Sequence, residues 1–315
     1  MTPRRNLVVL RAGPNSLHRA WLDRPYAERD FDLLLSYYSA AAHAAFRPEP
    51  GVSAVLVPGG KWDGLYQTLA ALDLSRWDHV WLPDDDIATT TRDINHIFAL
   101  CRSYGLAVAQ PALTTDSYFS HPLFLRCPGF RLRFTNYIEV MVPCLSRAVL
   151  QRALPHFADS KSGYGLDYIW CRWPESGAFR AAILDQVAVH HTRPVGRVLK
   201  AAMQAQGAAE PEVEEARLRA RFGLTRRTVP LAFAGLRQDG RPLIGRLTMA
   251  WAMWRAWTQD AATSPEPKKL AWGRFKVLRR QLVKRLDMTV VNEVAAAAPA
   301  PDPDFGRFFL QKKGR

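Results

Sequence analysis

Short apolar runs alternate with amphipathic stretches along roughly the first 195 residues of the chain. This alternation is typical of an α/β domain, in which a mostly parallel sheet carries helices on both faces. Apolar runs predict strands at Asn6–Arg11, Asp32–Ser36, Ser53–Val57, His79–Leu82, Ala107–Gln110, Ile138–Pro143 and Ala188–His191. Apolar positions at helical spacing predict helices at Trp62–Leu72, Asp93–Tyr104, Arg147–Phe157 and Asp167–Arg172.

The pattern changes after about Gly196, where helical periodicity replaces the alternation. Helices are predicted at Pro211–Phe222, Leu243–Thr258 and Lys268–Leu286, and the Ala- and Pro-rich segment Ala295–Pro303 is predicted to be disordered. We therefore predict an α/β, Rossmann-like domain over residues 1–195, a helical basic appendage over residues 196–290 and a flexible tail over residues 291–315.

The chain is strongly basic, with a formal net charge of +14 over 315 residues. This balance favours anionic partners, namely nucleic acid, phosphate groups or an acidic membrane surface, and a merely basic surface is the simpler alternative. The cysteines show no Cys-x-x-Cys pairing, which predicts reduced, buried thiols in a cytoplasmic protein. No stretch reaches the roughly 18 apolar residues that a transmembrane helix needs.

Three adjacent carboxylates, Asp84, Asp85 and Asp86, follow the predicted strand His79–Leu82. Adjacent carboxylates repel one another and are costly beside a buried strand unless a cation neutralises them. Mg²⁺ and Mn²⁺ take oxygen ligands and bind to one or two carboxylates together with substrate phosphates. The simpler interpretation is a helix N-cap, but one Asp is enough for a cap. The cluster therefore favours a site for a metal and a diphosphate.

A second candidate segment reads Gly163-Tyr164-Gly165-Leu166-Asp167. Two glycines around an aromatic residue allow the backbone to approach a ligand closely. Asp167 is either an N-cap or a carboxylate general base that faces a sugar hydroxyl. Glu139 lies within an apolar run, where it is expected either to hold an acceptor hydroxyl or to pair with an arginine of the group Arg126, Arg131 and Arg133.

His190 and His191 end the last predicted strand of the α/β domain. Adjacent strand residues point to opposite faces, so at most one of the two is expected to face the site. Lys61 and Arg11 come directly after predicted strands or at their ends, the edge at which ligands of α/β sheets bind. Either is a candidate to steady phosphate groups.

Taken together, these motifs resemble the DUF707 family, a group of GT-A-like proteins with expected glycosyltransferase activity. The resemblance covers roughly the first 195 residues. Its residues are Arg11-Ala-Gly, Ser16-Leu17-His18, Trp21-Leu22, Lys61-Trp62-Asp63, Trp77-Asp78, Asp84-Asp85-Asp86, Gln110-Pro111-Ala112, Glu139 to Pro143, Gly165-Leu166-Asp167, and His190 or His191 with Pro194. Leu166-Asp167 departs from the commoner Glu-Asp motif of related transferases.

The resemblance implies a metal-dependent glycosyltransferase of GT-A-like fold that moves a sugar from a nucleotide-sugar donor to a hydroxyl acceptor, a glycan or a lipid-linked glycan. Catalysis would be inverting. The implied catalytic residues are Asp167, as base, and Glu139. The implied metal site binds Mn²⁺ or Mg²⁺ through Asp84, Asp86 and His190 or His191. The donor would contact Arg11, Lys61, Asp84, Asp85, Tyr164 and Gly165.

Two other classes of function remain open from the sequence. A non-catalytic nucleic-acid-binding protein would suit the charge, but no helix-turn-helix or RNA-binding signature is present, and nucleic acid is not the expected partner. A metal-dependent nucleotidyl or phosphoryl transferase would share the aspartate cluster, although Gly59-Gly60-Lys61 lacks the hydroxyl residue of a Walker loop.

The helix Lys268–Leu286 has an apolar stripe of Phe275, Leu278, Leu282 and Leu286, with Trp272 one turn earlier. Basic residues cover most of its remaining circumference. This composition predicts either an amphipathic helix on an anionic membrane surface, which would place the protein at the inner face of the membrane, or a helix packed on the α/β domain.

Overall fold

One mixed sheet organises the chain. The computed structural model describes residues 5–195, 210–259 and 263–294. Within them, the strands are β1 (Asn6–Ala12), β2 (Asp32–Tyr37), β3 (Val52–Leu56), β4 (His79–Trp81), β5 (Ile87–Ala88), β6 (Val108–Leu113), β7 (Phe130–Thr135), β8 (Cys144–Ser146), β9 (Ala181–His191), β10 (Ala232–Arg237) and β11 (Pro242–Ile244).

The strand order is β11-β10-β7-β9-β6-β8-β4-β1-β2-β3, and β5 pairs with β9 outside this path. In this order β1, β2, β3, β4, β6, β9 and β10 run in one direction, and β7, β8 and β11 run in the other. All seven residues of β1 are buried, as expected for a central parallel strand that is covered on both faces.

The helices are α1 (Ala40–Ala44), α2 (Lys61–Ala70), α3 (Thr91–Ser103), α4 (Arg147–Phe157), α5 (Leu166–Ile169), α6 (Pro211–Arg221), α7 (Arg246–Gln259) and α8 (Pro267–Val283). Local sequence fixes several of their starts. The side chain of Thr90 accepts a hydrogen bond from the backbone N–H of Asp93, and Ser146 does the same for Val149. These caps satisfy backbone donors that would otherwise be unpaired at the beginning of α3 and α4.

The direction of travel across the sheet reverses between β3 and β4. The chain moves outwards from β1 through β2 to β3, then returns through α2 to β4 on the other side of β1. Because crossovers between parallel strands are right-handed, this reversal puts α2 on the face opposite to the β1–β2 and β2–β3 connections. The predicted fold class, an α/β, Rossmann-like, mostly parallel sheet with helices on both faces and a helical C-terminal part, is confirmed. The carboxyl ends of β1 and β4 flank a topological switch point, where ligands of such sheets bind.

The C-terminal part does more than add helices. β10 pairs with β7, and β11 pairs with β10, so both extend the same sheet. Neither strand was predicted, and the predicted helix from Leu243 begins at Arg246 because residues 242–244 form β11. The division at residue 195 remains a prediction. The predicted disordered segment Ala295–Pro303 lies outside the described residues.

The predicted strand Ile138–Pro143 is wrong. The chain there forms a loop between β7 and β8, and Trp170 Nε1 donates to the carbonyl oxygen of Ile138 at 2.9 Å. The apolar run is buried because this loop passes through the core rather than along a sheet edge. Among the described residues, no helix combines the length and apolar character needed to cross a bilayer.

Candidate functional site

The aspartate cluster lies at the switch point, directly after β4. Its middle member, Asp85, accepts a hydrogen bond from the backbone N–H of Gly13 at 3.0 Å and faces Arg193 at 3.3 Å. The backbone carbonyl of Asp85 also accepts from the N–H of Leu17 at 2.8 Å. Asp85 therefore ties the loop after β1 to the loop after β4 and is engaged by protein groups.

Asp84, Asp86 and His191 form a cluster in which one ligand atom from each residue lies within 4.8 Å of the others. His191 reaches it because β9 runs past β5, where it pairs with Ile87 immediately after the aspartates. Asp86 Oδ2 lies 3.2 Å from His191 Nε2, whereas Asp86 Oδ1 is buried without a hydrogen-bond partner. An orphaned carboxylate oxygen beside a second carboxylate is what a bound cation would satisfy.

The ring of His191 is oriented for this role by its other nitrogen. His191 Nδ1 lies 2.8 Å from the carbonyl oxygen of Tyr118, and because a carbonyl only accepts, Nδ1 carries the proton. Nε2 is then the atom that faces Asp86. A second hydrogen bond that fixes the tautomer is the usual arrangement for a metal-binding histidine. Two carboxylates and one imidazole fit Mn²⁺, and also Mg²⁺ through the carboxylates.

The surroundings of Asp84 and His191 shift the pKa values of both side chains. Burial raises the pKa of Asp84, with the charge of Asp86 adding to it, while Lys61 acts in the opposite direction. Burial lowers the pKa of His191, but the hydrogen bond and charge of Asp86 outweigh it, so that this pKa is raised. The positive charge of Lys61 thus does not fully offset the burial of Asp84 and its repulsion by Asp86.

Lys61, the first residue of α2, supplies part of that charge. Its ammonium lies 2.5 Å from Asp84 Oδ1 and donates to the carbonyl oxygen of Val140 at 2.7 Å. The flexible side chain of Lys61 joins the cluster of Asp84, Asp86 and His191 to the loop that carries Glu139.

Arg11 is placed differently from the sequence expectation of a donor contact. Its guanidinium donates to Ser36 Oγ at 2.7 Å and to the carbonyl oxygen of Gly59 at 3.0 Å, and it is buried. Gly64 of α2 makes room for it, since a Cβ there would lie 2.3 Å from Arg11 Cζ. Arg11 therefore holds the Gly59 loop, and direct contact with a donor remains a prediction.

Asp167 is buried at the start of α5. One of its oxygens, Oδ2, accepts a short hydrogen bond from the hydroxyl of Tyr137, and the other accepts from the N–H of Gly165 at 3.2 Å. Burial raises the pKa of Asp167 from 3.8 to about 7, although the hydrogen bond from Tyr137 acts against this. A carboxylate that takes up a proton near neutral pH is chemically suited to act as a base.

Glu139 lies where the charges of both Asp84 and Asp167 act on it. It is 4% exposed, and neither carboxylate oxygen has a partner with hydrogen-bond geometry. Burial raises its pKa well above the ordinary value, the charges of Asp167 and Asp84 raise it further, and the backbone N–H of His121 lowers it by less. The predicted alternative, pairing with an arginine, is not what the structure has: Arg133 binds Asp185 at 2.7 Å.

The glycines of the Gly163–Asp167 segment serve packing within the protein. Gly163 has φ +78°, and a Cβ on it would lie 2.1 Å from Trp62 Nε1. Gly165 has φ +98° and packs against Leu218 of α6. The expected close approach of a ligand is therefore taken up by protein atoms at these positions. Tyr164, between them, is half-buried.

Of the two histidines, the structure brings only His191 to the aspartates. His190 points to the other side of β9, as the alternation of strand residues requires, and is half-exposed with Nδ1 4.0 Å from Asp116.

Three residues around the site were not singled out from sequence. Tyr137 donates to Asp167, Tyr118 orients His191, and Glu215 of α6 is a buried acid whose charge raises the pKa of Asp167. Tyr137 lies two residues before Glu139, and this closeness in sequence could have indicated that Tyr137 belongs to the site. Glu215 lies 48 positions after Asp167 along the chain, so no local pattern could have joined them.

No protein-family model and no curated protein sequence matches this chain. Among solved structures, it is similar to S. aureus TarS 1–349 in complex with UDP-GlcNAc, with a TM-score of 0.43 and 11% identity over 88% of this chain and 89% of that one. It is also similar to TarS 1–349 alone, with a TM-score of 0.41 and 12% identity over 88% and 90%. TM-scores below 0.5 do not establish shared function, so the functional conclusion rests on the geometry of the site.

Proposed function

We propose that this protein is a metal-dependent glycosyltransferase that moves a sugar from a nucleotide-sugar donor to a hydroxyl acceptor. The observation that carries the proposal is the cluster of Asp84, Asp86 and His191 at the switch point, with an orphaned carboxylate oxygen and an oriented imidazole. The buried Asp167, whose charge acts on Glu139 as that of Asp84 does, supplies the second requirement, a base.

The donor side would be built on the metal cluster. Asp84, Asp86 and His191 would hold Mn²⁺ or Mg²⁺, which when bound neutralises charge on a diphosphate leaving group. Lys61 lies beside Asp84 and could turn from it to a donor phosphate, because a lysine side chain has four rotatable methylene groups. Asp85 keeps the loops after β1 and β4 together, so that the binding surface is rigid before the donor arrives.

The acceptor side would be built on Asp167. Its raised pKa leaves it able to take a proton from the acceptor hydroxyl as that oxygen attacks the anomeric carbon, which inverts the configuration. The hydroxyl of Tyr137 holds the carboxylate in one orientation. Burial raises the pKa of Glu139 well above its ordinary value, and both of its buried carboxyl oxygens lack a hydrogen-bond partner that a sugar hydroxyl would supply.

The proposal extends to location. The acceptor would be a glycan or a lipid-linked glycan, met in the cytoplasm at the inner face of the membrane. All four cysteines are buried free thiols, as a reducing compartment favours. Nucleic acid is not part of the proposal.

A thermal-shift screen of nucleotide sugars, with and without Mn²⁺, tests the proposal. Ligands that bind the folded state raise the melting temperature by an amount that grows with the logarithm of the ratio of ligand concentration to the dissociation constant. We expect stabilisation by at least one nucleoside diphosphate sugar, dependent on Mn²⁺. Turnover of the stabilising ligand by transfer of its sugar should release a nucleoside diphosphate; release of a sugar phosphate would instead identify a nucleotidyl transferase, which breaks the bond at the α-phosphorus.

A further inference from the structure

The outer faces of α7 and α8 carry large apolar side chains that no described part of the chain covers. The two helices pack against each other, and Arg274 of α8 lies 5.8 Å from the ring centre of Trp254 on α7. On the solvent side, Trp251 is 63% exposed and Trp272 is 59% exposed. The outer-face apolar set is Leu247, Trp251, Trp272, Phe275, Leu282 and Val283.

This outer face is distinct from the face by which α8 packs. Leu270, Gly273, Val277 and Gln281 point inwards and are buried. Gly273 lies so close to the turn Pro122–Phe124 that a Cβ would be 2.3 Å from Pro122 Cγ. The helix is therefore docked on the domain, but through a face other than the predicted apolar stripe, of which Phe275 and Leu282 are exposed. That docking leaves Phe275, Leu282 and Trp272 outside, so it does not account for them.

The charges around the outer face are mostly positive; Glu266, which directly precedes α8, is an acidic neighbour and pairs with Lys269 at 2.7 Å. Neither α7 nor α8 contains an acidic residue. The exposed basic residues of α8 and the turn after it are Lys268, Lys269, Lys276, Arg279, Lys284 and Arg285. The aromatic rings are held among them: Trp272 stacks on Phe275 with ring centres 5.8 Å apart, and Lys276 Nζ lies 5.4 Å from the centre of the Trp272 ring.

We propose that this outer face of α7 and α8 docks on an anionic phospholipid surface. Amphipathic rings beside lysine and arginine are the composition that binds at the headgroup level, where the rings enter the interface and the cations meet lipid phosphates. The charge complementarity selects this partner over a second copy of the chain, because two such faces would bring like charges together.

The docking face lies next to the acceptor side of the site. Lys269 of α8 lies over the ring of Phe119 at 4.8 Å, and its charge lowers the pKa of Glu139. The Pro122–Phe124 turn that α8 packs on directly follows His121, whose backbone N–H also acts on Glu139. Docking would thus bring Glu139 towards the lipid surface. The use of this docking to reach an acceptor rests on the proposed function, in which the acceptor is lipid-linked.

Vesicle co-sedimentation of the full chain tests the docking without a donor or any turnover, so its failure is separable from failure of the proposed function. We expect the protein to pellet with vesicles of phosphatidylcholine and phosphatidylglycerol at low salt. It should stay in solution with pure phosphatidylcholine or at high salt, where charge interactions are screened.

Two variants and one matched control locate the contact. Lys268→Gln, Lys276→Gln and Arg279→Gln together should weaken binding on the order of 10²-fold. Trp272→Ala with Phe275→Ala should weaken it at least about tenfold, through lost apolar burial. The control removes the same charge from exposed arginines elsewhere, with Arg47→Gln, Arg92→Gln and Arg180→Gln, and should bind nearly as well as wild type.

Circular dichroism confirms that each protein is folded before its binding is compared. If folded wild-type protein does not pellet with the anionic vesicles, the proposal is overturned. Equal loss in the control and the Lys268 variant also overturns it, because net charge would then explain the binding. If the wild-type protein does not bind vesicles but forms a dimer, and Trp272→Ala converts that dimer to a monomer, the outer face binds a second copy of the chain instead.

Discussion

Replacing Asp167 by asparagine should change how the stability of the protein depends on pH. Asp167 is 8% exposed, and burial raises its pKa from 3.8 to about 7. Because the pKa is higher in the folded chain than in the unfolded one, the folded chain binds the proton more tightly. The stability that this group contributes is complete below about pH 4 and is lost as the pH rises through about 7.

The size of the effect follows from the pKa difference. One pKa unit corresponds to about 1.4 kcal/mol, so the full penalty for ionising Asp167 in the folded state is about 4 kcal/mol. Most of it, about 3 kcal/mol, develops between about pH 5 and about pH 8. The side-chain amide of the Asp167→Asn variant does not ionise and escapes this loss. It accepts only one of the two hydrogen bonds from Tyr137 and Gly165, which costs about 1 kcal/mol at every pH.

Urea denaturation of wild type and Asp167→Asn across this pH range measures the difference directly. We expect the free energy of unfolding of the variant, relative to that of wild type, to be about 3 kcal/mol higher at about pH 8 than at about pH 5. Asp185→Asn is the control: Asp185 is also buried and burial raises its pKa, but the charge and hydrogen bonds of Arg133 act against that shift. Breaking that buried pair should destabilise the protein by about 3–5 kcal/mol with no comparable gain at high pH.

A difference between Asp167→Asn and wild type that stays constant within about 0.5 kcal/mol over the range would refute the reasoning, since Asp167 would then titrate normally. Loss of turnover by about 10² or more in the same variant, with donor binding retained, would support its role as base.

Other predictions use packing and charge elsewhere in the site. Gly163→Ala should destabilise the protein by about 1–3 kcal/mol in thermal or urea unfolding, because its Cβ would meet Trp62 and its φ is positive; an unchanged stability would argue against this packing. Glu139→Gln should leave the free energy of unfolding within about 1 kcal/mol of wild type or raise it, because burial disfavours the charged form of Glu139; strong destabilisation in urea unfolding would mean that its charge is used. Arg133→Met should cost about 3–5 kcal/mol, as it leaves Asp185 as an unpaired buried charge, and a neutral outcome in urea unfolding would contradict that pairing.

The sequence predicted the parallel half of the sheet well, because its strands are buried on both faces and stand out as apolar runs. β1, β2, β3 and β4 each lie within two residues of their predicted bounds. The strand predicted at Ile138–Pro143 is wrong because the apolar run reflects burial of a loop in the core and not strand structure. β10 and β11 were missed, since Gly235 and the short, exposed Pro242–Ile244 give little β signal.

For the site, the sequence indicated the aspartates, Lys61, Asp167 and the histidine pair near predicted strand ends or helix starts, and Glu139 within an apolar run. Which side chains face one another depends on tertiary contacts. His191 meets Asp86 through the pairing of β9 with β5, and Arg11 is drawn into the core by Ser36 and Gly59. The packing of α6 against Asp167 joins segments far apart in the chain, and no periodicity signals it.

The measurement that tests the central claim most directly is Mn²⁺ binding by the Asp84, Asp86 and His191 cluster, followed by electron paramagnetic resonance in the presence of UDP. Wild type should bind Mn²⁺ with a nitrogen coupling from the imidazole of His191. Asp86→Asn should lose the bound signal, and Asp116→Asn, which changes the exposed acid beside His190, should keep it. Equal Mn²⁺ binding by Asp86→Asn and wild type, with both proteins folded, would contradict the account.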